Sequence, residues 1–176
     1  MPHLPSAILC AAAVGLAATT VHDAGAVTLT RSFVHNATGT CQAALPSFEG
    51  LVRKRPLALQ NEGGDSAFVS CSLVGTHLGP GYNGRVMDRV FMGLINDAAT
   101  PVAVSCTLVD GVAGAISASL IPKLAAIPAN GRAELEWAAA DNGDQRFVFA
   151  ASVQCVLPPG TGISYTSSWY EEDIGD

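Results

Sequence analysis

Hydrophobic and polar residues alternate along most of the chain after residue 26. Residues 102–109 place Val, Val, Cys and Leu at the even positions, with Ala, Ser and Thr between them. Successive side chains of a β-strand point to opposite faces, so this pattern predicts a strand with one buried face. No window shows a convincing helical stripe, and the Ala-rich stretch 120–129 contains Pro122 and Pro128, which would break a helix. The sequence therefore predicts an all-β fold.

Nine segments carry the strand pattern, separated by Gly, Pro and Asn. Asn83-Gly84, Asn130-Gly131 and Asn142-Gly143 favour type I′ hairpin turns. The predicted strands are Val27 to His35, Leu57 to Asn61, Ala67 to Val74, Arg85 to Ile95, Val102 to Val109, Ala115 to Ile121, Arg132 to Trp137, Phe147 to Leu157 and Ile163 to Tyr170. Eight or nine short strands in one domain predict an antiparallel β-sandwich, with a small β-barrel as the alternative.

A Val-x-Cys-x-Leu motif occurs three times, around Cys71, Cys106 and Cys155. In a strand these three side chains share a face, so the cysteines point to the core. The motif reflects either an inward strand that carries a disulfide or a duplicated unit. With Cys41, four cysteines follow residue 26, and their wide spacing is unlike a zinc site. We predict the pairs Cys41–Cys71 and Cys106–Cys155, because neighbours in sequence close the shorter loops and Cys106 and Cys155 occupy the clearest inward-facing strands.

The first 26 residues have the features of a signal peptide. Residues 8–18 form an apolar run of eleven residues, which is too short to span a bilayer as a helix. Small residues at Ala24 and Ala26 predict cleavage after Ala26. We therefore expect a secreted or periplasmic protein, a single domain over 27–176, soluble and with two disulfides. No other apolar run is long enough for a membrane span.

Composition and charge exclude some classes of function. The 176 residues are 49% hydrophobic, which excludes a disordered chain. Nine basic against fifteen acidic residues give a net charge of -6. Because a nucleic-acid backbone is also negative, nucleic acid is not an expected partner.

Candidate catalytic residues are few. Glu134 and Glu136 would share a strand face with their Cα atoms about 7 Å apart, which is compatible with a glycosidase pair. Arg132 shares that face and apolar residues take the other, so a solvated strand face is the preferred interpretation. His35 adjoins a predicted turn and His77 lies in a loop, and no Gly-x-Ser-x-Gly motif is present. We predict no catalytic residue and no cofactor, and keep a small secreted hydrolase as an alternative.

Three charged stretches are weak candidates for ligand binding. The acids of 141–144 and of 171–176 could offer oxygen atoms to Ca²⁺, but neither has an EF-hand spacing. A hairpin turn and a solvated tail account for them, so no metal site is predicted. The basic residues 53–55 read as an exposed loop that could touch an anionic surface glycan.

Three aromatic residues near the C-terminus are candidate ligand-binding residues. Tyr165 and Trp169 would lie on one face of the last strand and Tyr170 on the other. They belong either to the core or to a surface that stacks on a sugar ring. We predict a non-catalytic module with a binding or envelope-structural role, and a carbohydrate-recognition module as the first alternative. The expected partner is a glycan or another envelope protein.

Several segments together resemble a group of small secreted bacterial proteins to which no activity is assigned. The similarity lies in Thr38-Gly-Thr-Cys41-Gln42, in 59–63 leading to Cys71, in 95–97 before Cys106, and above all in Cys155-Val-Leu-Pro-Pro-Gly160 with the acidic segment 170–175. It implies a signal peptide followed by a cysteine-linked β-sandwich, jelly-roll-like in form. The resemblance implies no site residues.

Overall fold

The computed structural model describes residues 28–73, 85–111, 118–143, 147–148 and 151–173. The predicted cleavage site, His77, the Asn83-Gly84 pair and residues 174–176 lie outside these ranges. The signal peptide and the boundary at residue 27 therefore remain predictions. Among the described residues, no helix is long and apolar enough to cross a membrane.

The described residues form twelve strands, with a one-turn helix and two 3₁₀ turns between them. The strands are β1 (Thr28–Asn36), β2 (Cys41–Ala43), β3 (Val52–Arg55), β4 (Ala58–Asn61), β5 (Ala67–Ser72), β6 (Arg85–Asn96), β7 (Val102–Asp110), β8 (Ser119–Ile127), β9 (Gly131–Ala138), β10 (Phe147–Val148), β11 (Ser152–Leu157) and β12 (Thr161–Asp173). The helix is α1 (Ala37–Thr40), and the 3₁₀ turns are Pro46–Phe48 and Ala139–Asn142.

The strands build two antiparallel sheets that face each other. In sheet A the long strands β6 and β12 pair at the centre; β9 and β10 pair with β6, while β1 and β4 pair with β12, and β3 flanks β4. Sheet B has the order β2-β5-β11-β7-β8. Two separate sheets confirm the predicted sandwich over the small-barrel alternative.

The strands differ from the predicted set in several places. The short strands β2 and β3 carry little alternation and were not predicted, so residues 53–55 are an edge strand rather than a loop. The predicted strand 147–157 is divided, because β10 joins sheet A and β11 joins sheet B. The acidic residues 171–173 continue β12 and pair with β1 instead of forming a tail.

Strand β8 runs through Pro122, whereas the predicted strand ended at Ile121. This is possible because β8 is the edge strand of sheet B, where proline's missing N–H can face away from the ladder. The two predicted Asn-Gly hairpins within the described residues are also wrong. Asn130 (φ 49°) links β8 of sheet B to β9 of sheet A, and Gly143 (φ 63°) ends a 3₁₀ turn.

The core lies between the sheets and contains the inward-facing cysteines. Cys41 bonds to Cys71 and Cys106 to Cys155, the pairs inferred from the sequence. Each cysteine is the register partner of the other, with Cα–Cα distances of 4.0 and 4.1 Å, so both bridges join neighbouring strands within sheet B. Met92 of sheet A packs on the second bridge, its Sδ 3.3 Å from Cys155 Sγ. Contact between the sheets is therefore made by packing, not by these bridges.

Two of the three Val-x-Cys-x-Leu motifs belong to a repeated crossover from sheet A to sheet B. The crossovers β4–β5 and β6–β7 each begin at a buried asparagine, Asn61 and Asn96. In both, the side-chain oxygen accepts the N–H two residues later and the side-chain amide donates to the carbonyl four residues later, at 2.8 to 3.0 Å. The motif thus marks a repeated structural unit in these two cases.

Candidate functional site

Two adjoining depressions lie on the outer face of sheet A. The larger, which we call the groove, has a volume of about 810 Å³ and runs between the β3–β4 turn and β9. The smaller, which we call the aromatic pocket, has a volume of about 310 Å³. The pocket is lined by Val34, Phe91, Glu134, Tyr165, Ser167 and Trp169. Tyr165 and Glu134 line both depressions, so the two form one continuous surface.

A β-bulge in β12 turns the pocket residues outward. Ile163 pairs with Leu94 and is buried, whereas Tyr165 pairs with the next β6 residue, Gly93, so Ser164 has no register partner in β6. The extra residue reverses the alternation of the side chains. Tyr165, Ser167 and Trp169 consequently face away from the core. Since strand residues are about 3.3 Å apart, the two aromatic side chains stand about 13 Å apart along β12.

The ring of Tyr165 crosses β6 to reach β9. Its hydroxyl donates a hydrogen bond to Glu134 Oε2. This path is open because Gly93 has no side chain: a Cβ there would lie 2.5 Å from Tyr165 Cδ1 and 2.6 Å from Ser164 Oγ. Partial burial and the bond to Glu134 together raise the pKa of Tyr165 to about 12. The phenol is therefore neutral at any physiological pH, and its ring lies over Gly93 of β6.

The aromatic pocket has apolar walls and a polar floor. Phe91 and Trp169 pack against each other with ring centroids 5.3 Å apart and planes at 53°. Trp169 is 40% exposed, which is high for so large an apolar side chain. Ser167 lies between Tyr165 and Trp169 on β12 and is 4% exposed, and its hydroxyl has no hydrogen-bond partner among the residues that the structure describes. A buried polar group without a partner is uncommon in folded proteins.

Two polar side chains of the groove, Gln60 and Arg55, have partners beside it. Gln60 donates to Asp97, and the Arg55 guanidinium pairs with Glu62 at 2.6 Å. The hydrogen bond to Arg55 holds the pKa of Glu62 below its ordinary value. Arg132 also lines the groove. The β3–β4 turn forms one wall, where Leu57 is 77% exposed.

The structure separates the three aromatic residues singled out in the sequence. Tyr165 and Trp169 line the aromatic pocket together. Tyr170 stacks instead on Phe33 of β1, with ring centroids 5.4 Å apart. The register explains this, because Tyr170 is one residue from Trp169 and points to the other side of the strand. Ligand binding by these three residues remains a prediction.

The carboxylates considered as a glycosidase pair have other partners. Glu134 accepts the Tyr165 hydroxyl, and Glu136 pairs with Arg89 at 3.0 Å. Both lie on the outer face of sheet A, as the alternation predicted, while Leu135 and Trp137 are buried. His35 is half-buried in β1, and its ring centroid lies 6.0 Å from that of Phe33.

The acids considered as Ca²⁺ ligands do not converge within the described residues. Asp141 pairs with Lys123 at 2.6 Å and accepts the N–H of Ala138 at 2.8 Å. Among the described residues, no group of three His, Cys, Asp or Glu side chains could hold a metal ion. Asp144 lies outside the described ranges.

Phe91, Gly93 and Ser167 belong to the site but were not singled out from the sequence. A signal was present for Phe91: residues 90–95 are apolar or glycine at every position, without alternation. Such a run indicates a strand covered on both faces. In β6 one face packs in the core, and the other lines the groove and the aromatic pocket. Ser167 carries no comparable signal, because serine is common on strand surfaces.

No family model and no curated protein matches the sequence. Solved structures with similar folds include TmCBM61 in complex with β-1,4-galactotriose, 11% identical with a TM-score of 0.35, covering 81% of this chain and 88% of that one. Another is CBM28, a carbohydrate-binding module specific for non-crystalline cellulose, 14% identical with a TM-score of 0.42, covering 80% and 87%. The coat protein of Tobacco streak virus is 8% identical with a TM-score of 0.29, covering 64% and 89%. Similarity this distant carries no conclusion about a ligand. The resemblance to secreted bacterial proteins stays a prediction, while the disulfide-linked sandwich that it implied is present.

Proposed function

We propose that the protein is an exported, non-catalytic module that binds a neutral glycan on the outer face of sheet A. The observation that carries the proposal is the unpartnered Ser167 hydroxyl at the floor of a pocket walled by Phe91, Tyr165 and Trp169. A ligand that fills the pocket must offer an apolar surface to the rings and a hydrogen-bonding group to the floor.

A sugar ring meets both demands. Its C–H groups form a flat apolar patch that packs on an aromatic ring, and its hydroxyls donate and accept at the rim of that patch. Glu134 accepts hydrogen bonds beside the pocket, and Gln60 and Asp97 supply polar groups further along the groove. The continuity of groove and pocket favours an extended chain over a single sugar.

The charges around the two depressions favour a neutral ligand. Arg89 pairs with Glu136, and Arg55 pairs with Glu62. Glu134 and Asp97 accept hydrogen bonds from the neutral donors Tyr165 and Gln60 rather than from cations, an arrangement that disfavours an acidic polymer. Arg132 adds one guanidinium to the groove beside the paired Arg55 and does not reverse that balance.

Ser167→Ala is the most specific test. Removing a buried hydroxyl that has no partner should leave the free energy of unfolding unchanged or raise it slightly. A lost hydrogen bond to the ligand of about 1 kcal/mol should weaken binding about fivefold. Binding is measured by affinity electrophoresis in gels that contain soluble neutral polysaccharides, each compared with a uronate polymer.

Trp169→Ala should weaken binding more strongly, by tenfold or more, because an exposed aromatic side chain is a typical binding hot spot. Tyr170→Leu is the matched control, since Tyr170 lies outside the pocket and its loss should leave binding unchanged. Retention on uronate polymers only, or equal losses in Trp169→Ala and Tyr170→Leu, would contradict the proposal. Release of reducing ends from a bound polysaccharide would show that the module is catalytic.

A further inference from the structure

A third depression continues the aromatic pocket along the outer face of sheet A. It has a volume of about 520 Å³ and lies beyond Trp169, which lines both the pocket and this depression. Tyr165 lines both the groove and the pocket in the same way. The three depressions therefore form one continuous surface, which we call the trough, with an aromatic side chain at each of its two junctions. The other walls of the third depression include Thr30, Asp88, Arg89, Ala139 and Glu171.

A second β-bulge shapes this end of the trough. Trp169 pairs with Arg89, and the next residue, Tyr170, pairs with Met87, so Asp88 has no register partner in β12. A bulge re-aims the side chains around it. Asp88 lines the third depression, just as the bulge residue of β12 lines the groove. Each bulge thus adds a polar side chain to one end of the trough.

The length of the trough suits a chain of several sugar units. It follows β12 from Ser164 to Glu171, which at about 3.3 Å per residue is about 23 Å. The third depression accounts for about 7 Å of this length, beyond Trp169. Leu57 at the groove and Thr30 at the third depression are exposed. A chain bound along the trough therefore meets exposed residues at both ends, where it can continue into solvent.

We propose that the trough binds an internal segment of a linear polysaccharide, with the third depression as a further subsite beyond Trp169. The inference rests on the proposed glycan-binding function and adds which part of the glycan is recognised. The two aromatic side chains pack on the apolar faces of sugar rings. Ser164 and Asp88 offer hydrogen-bonding groups to sugar hydroxyls at the two ends.

The charges of the third depression fit the same neutral ligand. Asp88 and Glu171 are both acidic, and the Arg89 guanidinium pairs with Glu136 at 3.0 Å. A uronate polymer would bring its carboxylates close to these acids, and the paired guanidinium offers little compensation. The whole trough therefore selects against an acidic chain.

Isothermal titration calorimetry with linear gluco-, manno- and galacto-oligosaccharides of increasing length tests the proposal. Affinity should keep rising after the oligosaccharide is long enough to fill the groove and pocket, and should level off once the third depression is also filled. Borohydride reduction of the terminal sugar should leave the affinity of the longest oligosaccharides unchanged, because the trough recognises a segment without a chain end.

Two variants alter the third depression and leave the groove and pocket intact. Thr30→Trp fills the depression from an exposed position on β1, and Asp88→Ala removes a carboxylate that can bond to a sugar hydroxyl. Each should weaken binding of the longest oligosaccharides about tenfold and leave binding of the shorter ones unchanged, whereas Trp169→Ala weakens both. Leu120→Trp is the matched control, since Leu120 is 67% exposed but lies in sheet B, away from the trough.

Circular dichroism and thermal unfolding check that the variants fold. Unaltered affinity of both variants for the longest oligosaccharides would overturn the proposal and leave glycan binding by the groove and pocket intact. A loss of affinity on reduction of the terminal sugar would also overturn it, because it would show recognition of a chain end. Failure of the unaltered chain to bind any of the neutral polysaccharides or oligosaccharides would contradict both proposals, so the two failures are distinguishable.

Discussion

Gly93 shows how a single residue determines the shape of the candidate site. Its missing side chain lets the Tyr165 ring lie over β6 and reach Glu134, so that one hydrogen bond links β12 to β9 across β6. We predict that Gly93→Ala displaces the ring, since the added methyl would overlap it. Overpacking of this kind costs about 1 to 3 kcal/mol of stability.

The phenol of Tyr165 reports that displacement. Its pKa of about 12 should fall toward the ordinary value of 10.0 in Gly93→Ala. Because the folded-state pKa is raised, the stability that Tyr165 contributes is present below pH 10 and is lost as pH rises toward 12. Ultraviolet titration measures the shift, and Tyr165→Phe identifies the step among three tyrosines. Gly64→Ala, where a Cβ meets nothing within 4 Å, should leave the titration unchanged.

At this scale the sequence identified part of the site. Alternation correctly placed Tyr165 and Trp169 on one face and Tyr170 on the other. It could not identify Ser167 or Gly93, because their roles depend on neighbours from other strands. The unpartnered hydroxyl exists only once β12 lies between Phe91 of β6 and Val34 of β1, and no local pattern encodes that arrangement.

At the scale of elements, the two disulfides should contribute unequally. The chain-entropy model gives roughly 3 to 4 kcal/mol for each bridge, slightly more for the loop of 49 residues than for that of 30. The location adds to this difference. Cys106–Cys155 joins two inner strands of sheet B beneath Met92, whereas Cys41–Cys71 attaches the three-residue edge strand β2.

We therefore predict that the double variant Cys106→Ala/Cys155→Ala loses more stability than Cys41→Ala/Cys71→Ala. Urea unfolding measured by tryptophan fluorescence gives both values, with the unaltered chain as reference. Equal losses would mean that loop closure dominates, and a larger loss for the Cys41–Cys71 pair would contradict the prediction.

Long strands with clear alternation were predictable. Very short strands, and a segment divided between the two sheets, were not. Strands β7 and β9 appear within a residue or so of their predicted bounds. Strands β2 and β3 have three and four residues, too few to show a period. The predicted strand 147–157 failed for another reason: β10 and β11 belong to different sheets, and alternation describes the faces of a strand but not which sheet it joins.

At the scale of the whole molecule, side chains rather than cystines connect one edge of the two sheets. Lys123 of β8 reaches Asp141 and the carbonyl oxygen of Glu136, and the Trp137 indole donates to the carbonyl oxygen of Ile121 at 2.9 Å. Partial burial alone would raise the pKa of Asp141, but the Lys123 ammonium and the Ala138 N–H outweigh it and hold that pKa below its ordinary value.

The contacts of Asp141 at this edge should make the free energy of unfolding depend on pH. Because the pKa of Asp141 is lower in the folded state, its carboxylate stabilises the fold above the unfolded-state pKa of about 4. This stabilisation is lost as the pH falls through the folded-state pKa. We predict that Asp141→Asn costs about 1 kcal/mol at pH 7 and flattens the fall in stability below about pH 4. Thermal unfolding between pH 2 and pH 7 is the measurement. Asp65→Asn, a conservative change at an exposed acid, should retain the pH dependence, and a profile unchanged in Asp141→Asn would exclude this role.

The pairing of β1 with β12 determines how the fold responds to mechanical force. Thr28 pairs with Asp173, so the two ends of the described chain leave sheet A side by side. Hydrogen bonds between antiparallel strands run perpendicular to them, and tension applied through the two ends would open the β1–β12 ladder one pair at a time, as a zipper opens, at low force. Extension would then be limited, because the cystines close loops of 30 and 49 residues that tension cannot straighten. A molecule under tension would thus begin to unfold at its ends, at low force. The two covalently closed loops would limit its final extended length.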